Sequence, residues 1–271
     1  MAKAFVDTTI LADILLKSGE SKTKAKAALA RFSKTELPTY AIKEFKGGPL
    51  KNFIWMHNKL VEMQSFSGAL QKLHGMSLTP RRYTTATAIE ALQQAADSLG
   101  KQTSKDLEKK YGSTATLDQM LCADFRTQIK IKVFLAWEKR RKVTTDITLP
   151  LPCYHEAKLT IQRGQIDCKP IDCNKGLECC LKSKLIAAPE DLEKLKTAIE
   201  LQSKKQENIR RSSVLGDLIR YPKTILDNKK CKNLGDAFFV FFAPPDSKIL
   251  TTNAKDFEPM ASALSKEVET P

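Results

Sequence analysis

The chain has 271 residues, with 45 Lys and Arg against 31 Asp and Glu, giving a formal net charge of +14. Hydrophobic residues make up 42%, and no long Pro-, Gly- or Ser-rich tract interrupts them, which excludes a disordered or fibrous chain. The length is enough to bury a full core in one large domain or two. No segment approaches the roughly 18 uninterrupted apolar residues that span a bilayer. The block 237-AFFVFFAPP-245 is far shorter, and Asp7 and Asp13 break up 4-AFVDTTILADILL-16 too much for a signal sequence. A cytoplasmic location with reduced cysteines is the expectation.

Residues 3-KAFVD-7 read as a short buried strand, and 8-TTILADILLKSG-19 as a helix with Ile10, Leu11, Ile14 and Leu15 at helical spacing, ended by Gly19. A second helix is expected over 22–32. The segment 36-ELPTYAIKEF-45 reads as a brief extended piece followed by a helix start, with Pro38 at the boundary. Gly47, Gly48 and Pro49 read as a break before a helix running through Trp55 to about Met63. Strand, helices, strand and helix in this order predict an α/β protein.

The middle differs in character. Residues 85–99 place Ile89, Leu92, Ala96 and Leu99 on one helix face, and 115–139 do the same with Leu117, Leu121, Phe125 and Phe134. Segments 143–154 and 158–168 are β-branched and alternating, with Arg163-Gly164 as a hairpin turn. After a Cys-rich loop, Pro189, Glu190 and Asp191 start a helix expected to reach about Asn208. From about Ser213 the α/β pattern returns, with 248-KIL-250 as a strand. By propensity 237-AFFVFF-242 is ambiguous, and the tail from about Ser262 is expected to be loose.

Four acids stand out by position. Asp7 ends the first strand, Asp256 lies just past the last, Glu44 opens a helix after the second, and Asp236 follows Gly235 at a helix start. Ligands of parallel α/β sheets bind outside the carboxyl ends of strands. Carboxylates gathered there repel one another unless cations lie between them, and oxygen donors suit Mg²⁺ or Mn²⁺. Two such ions can activate a water and stabilise the leaving oxygen of a phosphodiester. Taken singly, each acid also reads as an ordinary helix cap or dipole partner. The positive surface favours polyanions, nucleic acid above all, although 139-KRRK-142, 210-RR-211 and 228-NKKCK-232 are scattered and define no single patch.

At these positions the chain resembles the PIN-domain nucleases. The pieces 6-VDTTIL-11, 40-YAIKEF-45, 235-GDAFFV-240 and 251-TTNAKDF-257 look like that family's four motifs in order, over about 60 residues at the N-terminus and about 50 at the C-terminus. The resemblance implies a three-layer α/β fold around a central parallel sheet. It also implies metal-dependent cleavage of phosphodiesters, usually RNA with DNA also open, leaving a 5′-phosphate and a 3′-hydroxyl. It assigns Asp7, Glu44, Asp236 and Asp256 as catalytic metal ligands or positioners of the attacking water, with Thr9 and Asn253 orienting them. It turns 237–242 into a buried helix beginning at Asp236. The nuclease domain would comprise 1–75 and 225–271, with 76–224 a mainly helical insertion containing the hairpin. A toxin or defence effector with an antitoxin, or a homo-oligomer, would be consistent with it, and so would a non-catalytic RNA- or protein-binding relative.

A second candidate centre lies in the middle. Cys153, His155, Cys168, Cys173, Cys179 and Cys180 fall within 153–180 and could supply the four ligands of a structural Zn²⁺ site, yet no pair has C-x₂-C spacing. Nucleophilic catalysis has thin support, with no G-x-S-x-G and three unpatterned histidines, of which His57 and His74 read as surface or half-buried. Trp55 and Trp137 read as core.

Overall fold

A computed structural model describes residues 2–77, 82–99, 103–149, 159–168, 180–202 and 205–271. Its centre is a five-stranded, all-parallel sheet in the order β3-β2-β1-β6-β7. These strands are β1 (Lys3–Val6), β2 (Lys34–Pro38), β3 (Asp146–Thr148), β6 (Ser247–Leu250) and β7 (Val268–Glu269); β4 (Thr160–Gln162) and β5 (Gln165–Asp167) form a separate antiparallel hairpin. The helices are α1 (Thr8–Leu15), α2 (Gly19–Ala30), α3 (Thr39–Phe45), α4 (Lys51–Met63), α5 (Phe66–Ser77), α6 (Arg82–Leu99), α7 (Ser104–Tyr111) and α8 (Leu117–Lys139). They continue with α9 (Cys180–Ile186), α10 (Pro189–Glu200), α11 (Gln206–Arg220), α12 (Asn228–Leu234), α13 (Asp236–Phe242) and α14 (Ala254–Ala263).

Ala4, Phe5 and Val6 are consecutive on β1 and all buried, as are Ile249 and Leu250 on β6. Side chains alternate sides along a strand, so both faces of the sheet are covered, as expected when parallel strands are joined by helical crossovers. The fold class is therefore α/β with a central parallel sheet. Phe239 on α13 packs its ring against Phe5, Tyr40 and Phe257, which ties β1, α3 and α14 to one core. Segment 236–242 is helical, and Ala237, Phe238, Phe239 and Val240 are all buried. Among the described residues no helix is long and apolar enough to cross a membrane.

Several local expectations are corrected. Gly19, at φ +65°, opens α2 and does not end α1, which stops at Leu15. Gly47, Gly48 and Pro49 do not break the chain. They lie in a π-helical turn, Lys46–Leu50, that joins α3 to α4. Pro49 cannot supply an α-ladder N–H in any case, and a widened turn accommodates that loss. The buried face of α6 is Ala88, Ala91, Leu92 and Ala95, while Ile89 is 44% exposed. Small residues let α6 approach α4 and α8, so the largest side chains are a poor guide to the buried face. Leu117 is likewise exposed on α8. The helix from Pro189 ends at Glu200, and the chain turns at the 83%-exposed Leu201 so that α11 packs onto α10. His57 is buried, not on the surface, with Nδ1 3.1 Å from Asn58 Oδ1, and burial pushes its pKa down. Trp137 is buried beneath the Arg140 guanidinium, 3.7 Å from its ring centre.

The tail is not loose. Glu267 and Glu269 carbonyls accept hydrogen bonds from Ile249 N and Thr251 N at 2.8 and 3.1 Å, making β7 the sheet's edge. Lys266 Nζ donates to the carbonyls of Val240 and Phe241 at 2.6 and 2.7 Å, satisfying orphan acceptors where α13 ends. At the opposite edge, residues 146–148, which fall in the expected central insertion, join the main sheet as β3. Thr35 and Thr145 anchor it by exchanging backbone N–H to hydroxyl bonds of 2.9 and 3.0 Å. Arg163 and Gly164 both have positive φ, 49° and 78°, and turn the β4–β5 hairpin as expected.

Candidate active site

β1 and β6 run parallel and end together, and Asp7 N donates to Leu250 O at 3.0 Å just beyond them. Asp7 and Thr251 are thereby fixed at the carboxyl rim of the sheet. Asp7 is 2% exposed and caps α1, accepting from Thr8 N at 2.6 Å and Thr9 N at 3.3 Å. Its Oδ2 also accepts from the hydroxyls of Thr9 at 2.6 Å and Thr251 at 2.8 Å. Burial pushes the Asp7 carboxyl above its ordinary pKa, and these hydrogen bonds act in the opposite direction.

Glu44 lies in the last turn of α3, not at its start, and its Oε2 accepts from Thr8 Oγ1 at 2.9 Å. Burial, followed by the negative charges of Asp236 and Asp7, pushes its pKa up to about 8. Asp236 is the first residue of α13. Its Oδ2 receives Arg211 Nη2 at 3.0 Å. Burial pushes Asp236 up to about 6 against the pull of Arg211, with Asp7, Glu207 and Asp256 adding to the rise. Asp7, Glu44 and Asp236 thus come from three distant stretches of sequence into one electrostatic neighbourhood.

Asp256 stands further out, in the first turn of α14. Asn253 Nδ2 donates to its Oδ2 at 3.0 Å, and Lys205 Nζ lies 3.4 Å from its Oδ1. It borders a groove of about 970 Å³ between α10 and α14, lined by Leu201, Pro259, Lys194, Lys205 and Lys255 among others. Lys205 also lines a cleft of about 440 Å³ with Arg210 and Lys232. Both openings carry several cationic side chains, and of the four acids only Asp256 lines one of them.

The donor set is all oxygen, with Asp7 buried and Glu44, Asp236 and Asp256 half-buried, which fits the ligand type of a hard divalent cation such as Mg²⁺ or Mn²⁺. Charge repulsion among the three inner carboxylates gives such an ion an electrostatic role. The side chains are not closed around an ion: among the described residues, no three His, Cys, Asp or Glu side chains come close enough to hold one together. Their oxygens are turned instead to threonine hydroxyls, backbone N–H groups, Arg211 and Lys205.

The sequence offers Thr8 only as a helix-cap neighbour of Asp7 and does not single out Thr251, Arg211 or Lys205, though all four touch the acids. Thr8 and Thr251 each stand in a Thr-Thr doublet beside a chosen residue, and that was the available signal. Arg211 had none beyond membership of the 210–211 basic pair, and Lys205 none at all. For the second candidate centre, Cys153, His155, Cys173 and Cys179 lie outside the described residues, as does the side chain of Cys180. Cys168 is a half-buried free thiol whose pKa burial pushes up, against Lys46 and Lys51. No family model matches the chain, and comparison with curated proteins and with solved structures finds no match.

Proposed function

We propose that the chain is a divalent-metal-dependent endoribonuclease of PIN-like architecture. One observation carries the reading: Asp7 at the carboxyl rim of a parallel sheet shares one electrostatic neighbourhood with Glu44 and Asp236, where burial pushes all three pKa values up and the neighbouring acids add to the rise at Glu44 and Asp236. Like charges held close together with raised pKa values are a feature of functional sites as well as of structural ion-pair networks. Asp7, Glu44 and Asp236 would hold Mg²⁺ or Mn²⁺, which when bound supplies charge stabilisation and a more acidic water.

The protein's own groups account for the remaining work. Thr9 and Thr251 fix the orientation of Asp7, Thr8 that of Glu44, and Asn253 that of Asp256. Lys205, Arg210, Lys232 and Lys255 line the flanking groove and cleft and would draw phosphates toward the rim. In the hydrolysis, water oxygen forms a bond to phosphorus and the bond from phosphorus to the 3′ oxygen breaks. That oxygen takes a proton, leaving a 5′-phosphate. A toxin or defence role, with RNA as target, belongs to the same proposal.

The test is cleavage of structured and unstructured RNA, and of single-stranded DNA, in Mn²⁺ by wild type, Asp7→Asn and Asp236→Asn. Loss of at least a hundredfold in both variants is expected. Variants that cut as well as the parent would remove the assignment. A second reading rests on the partners that the acids already have. The Asp7 cap, the Arg211–Asp236 pair and the Lys205–Asp256 pair would also suit a non-catalytic RNA- or protein-binding relative. Such a protein would leave RNA intact with every metal tried, whether or not it binds it.

A further inference from the structure

The basic stretches 210–211 and 228–232, separate in the sequence, are brought together by the fold. α11 and α12 pack as an antiparallel pair joined by residues 221–227. At one end of the pair, Arg210 of α11 and Lys232 and Asn233 of α12 line the same cleft, just ahead of Asp236 in the chain. At the other end, the connecting loop displays Tyr221, 65% exposed, and Ile225, 80% exposed.

Residues 205–233 carry eight Lys and Arg against three Asp and Glu, and each of those acids is engaged. Glu207, which also lines the cleft, lies 3.7 Å from the Arg211 guanidinium, and Asp217 lies 3.5 Å from Lys230 Nζ. Asp227 caps α12, accepting from Lys230 N at 2.8 Å. Arg210, Arg220, Lys223, Lys229 and Lys232 are all exposed and form no ion pair among the described residues. Lys229 stands one turn before Lys232, so the cationic side chains continue along α12 from the cleft toward the loop. An exposed surplus of this kind attracts a polyanion.

The loop holds its two apolar side chains out in water. Thr224 N donates to Tyr221 O at 2.8 Å, Leu226 is buried in the core, and the Asp227 cap fixes the far end. Protein interfaces deplete charge at their centre, whereas Tyr221 and Ile225 alternate with Arg220 and Lys223. An aromatic ring among cations suits single-stranded nucleic acid, whose phosphates meet the cations while an unpaired base stacks on the ring. A duplex keeps its bases stacked inside and presents mainly backbone. Arg211 touches Asp236, and Tyr221 follows ten residues later at the end of α11. At roughly 1.5 Å of rise per residue that is about 15 Å, the length of about four stacked nucleotides at about 3.4 Å each.

We propose that the α11–α12 pair is a binding track for single-stranded RNA: Arg210, Lys229 and Lys232 take phosphates, and Tyr221, flanked by Ile225, stacks a base about four nucleotides from the acid cluster. The inference deepens the nuclease reading and rests on it for the choice of RNA. Tyr221 and Ile225 bind the strand and take no part in the chemistry.

Fluorescence anisotropy of the intact protein with a labelled, unstructured RNA of about ten nucleotides, in EDTA, tests binding apart from cleavage. Wild type should bind this strand more tightly than an RNA duplex of the same length. Tyr221→Ala should weaken the single strand roughly tenfold, the scale of one lost stacking contact, and leave the duplex unchanged, while Tyr221→Phe should match wild type. Lys229→Gln should weaken both probes and reduce the salt slope by about 1. Equal binding of the single strand by wild type and Tyr221→Ala would overturn the inference, and so would equal weakening of both probes. Tyr221-dependent binding of polyglutamate in place of RNA would also overturn it, marking the loop as a dock for an acidic protein. Cleavage with Mn²⁺ separates the two readings. RNA cut by a protein whose binding ignores Tyr221 leaves the nuclease reading and removes this one; Tyr221-dependent binding without cleavage does the reverse.

Discussion

Replacing Glu44 with Gln should make the metal-free protein more stable in alkaline buffer. Gln keeps the carbonyl oxygen that can accept from Thr8 Oγ1 and removes the charge that burial, Asp236 and Asp7 all disfavour. The ordinary pKa of 4.5 is pushed up to about 8. A raised acid binds more protons folded than unfolded across that interval. Its stabilising contribution is therefore fully present below about pH 4.5 and lost as pH rises through about 8. Each pH unit between the two values corresponds to about 1.4 kcal/mol, which sets a ceiling of about 5 kcal/mol. Glu44 keeps part of its surface in water and shares its repulsion with two other acids, so a change of about 1–2 kcal/mol is the reasonable scale.

The assay is urea unfolding of wild type and Glu44→Gln in EDTA at pH 5, 7 and 9. The curves should lie close together at pH 5 and separate above pH 7, with the variant the more stable. At this chain length, about 1 kcal/mol corresponds to a shift of about 2–4 °C in a parallel thermal melt. Adding Mn²⁺ at pH 9 should reverse the order, because an ion bound by the native acids stabilises wild type by mass action and has one ligand fewer in the variant. Parallel pH profiles, or a variant less stable than wild type at pH 9 in EDTA, would refute the electrostatic reasoning. Unchanged melting on Mn²⁺ addition would count against the metal site.

Other substitutions test the frame that positions the acids. Phe239→Ala removes a ring packed on Phe5, Tyr40 and Phe257 and should cost about 3–5 kcal/mol in urea unfolding. Gly235→Ala forces a side chain onto a backbone at φ 41°, ψ −118° and should destabilise by about 1–3 kcal/mol, with a fall in activity because Asp236 follows directly. Deleting residues 266–271 removes β7 and the acceptors of Ile249 N and Thr251 N, and should cost about 1–3 kcal/mol by thermal melt; no loss would show that the edge strand is dispensable.

The sequence made some parts of the fold plain because single residues carried the signal. Alternating and continuous apolar residues marked β1 and β6, Pro38 marked the junction of β2 and α3, and Arg163-Gly164 marked the hairpin. Burial of α6 on alanines left no such mark, since amphipathic pattern reading weighs large side chains. The edge strand β7 was invisible because two polar-flanked residues held by backbone hydrogen bonds have no periodicity. At the site, Asp7 and Asp236 were found from their places at a strand end and a helix start. Arg211 was not, because the face of α11 that is buried carries Asn208, Arg211 and Ser212 beside Val214 and Leu215, and a charge there reads as solvated.

The position of Arg211 also bears on how the chain is organised. A nuclease fold built only from the two ends would require the middle to be an ornament attached at a loop, yet the middle contributes to the sheet and to the site. β3 covers the free edge of β2, α8 packs against α1 and α4, and α10 packs against α14. Arg211 and Lys205 each pair with an acid from the C-terminal stretch. Removing 76–224 would therefore expose a sheet edge and take away the guanidinium that faces Asp236 beside Asp7 and Glu44. Truncating one partner of a buried ion pair generally costs about 3–5 kcal/mol, a large part of the marginal stability of a folded domain. The middle is thus a structural and electrostatic component of the site, and substrate selection by it would be a use added to that role.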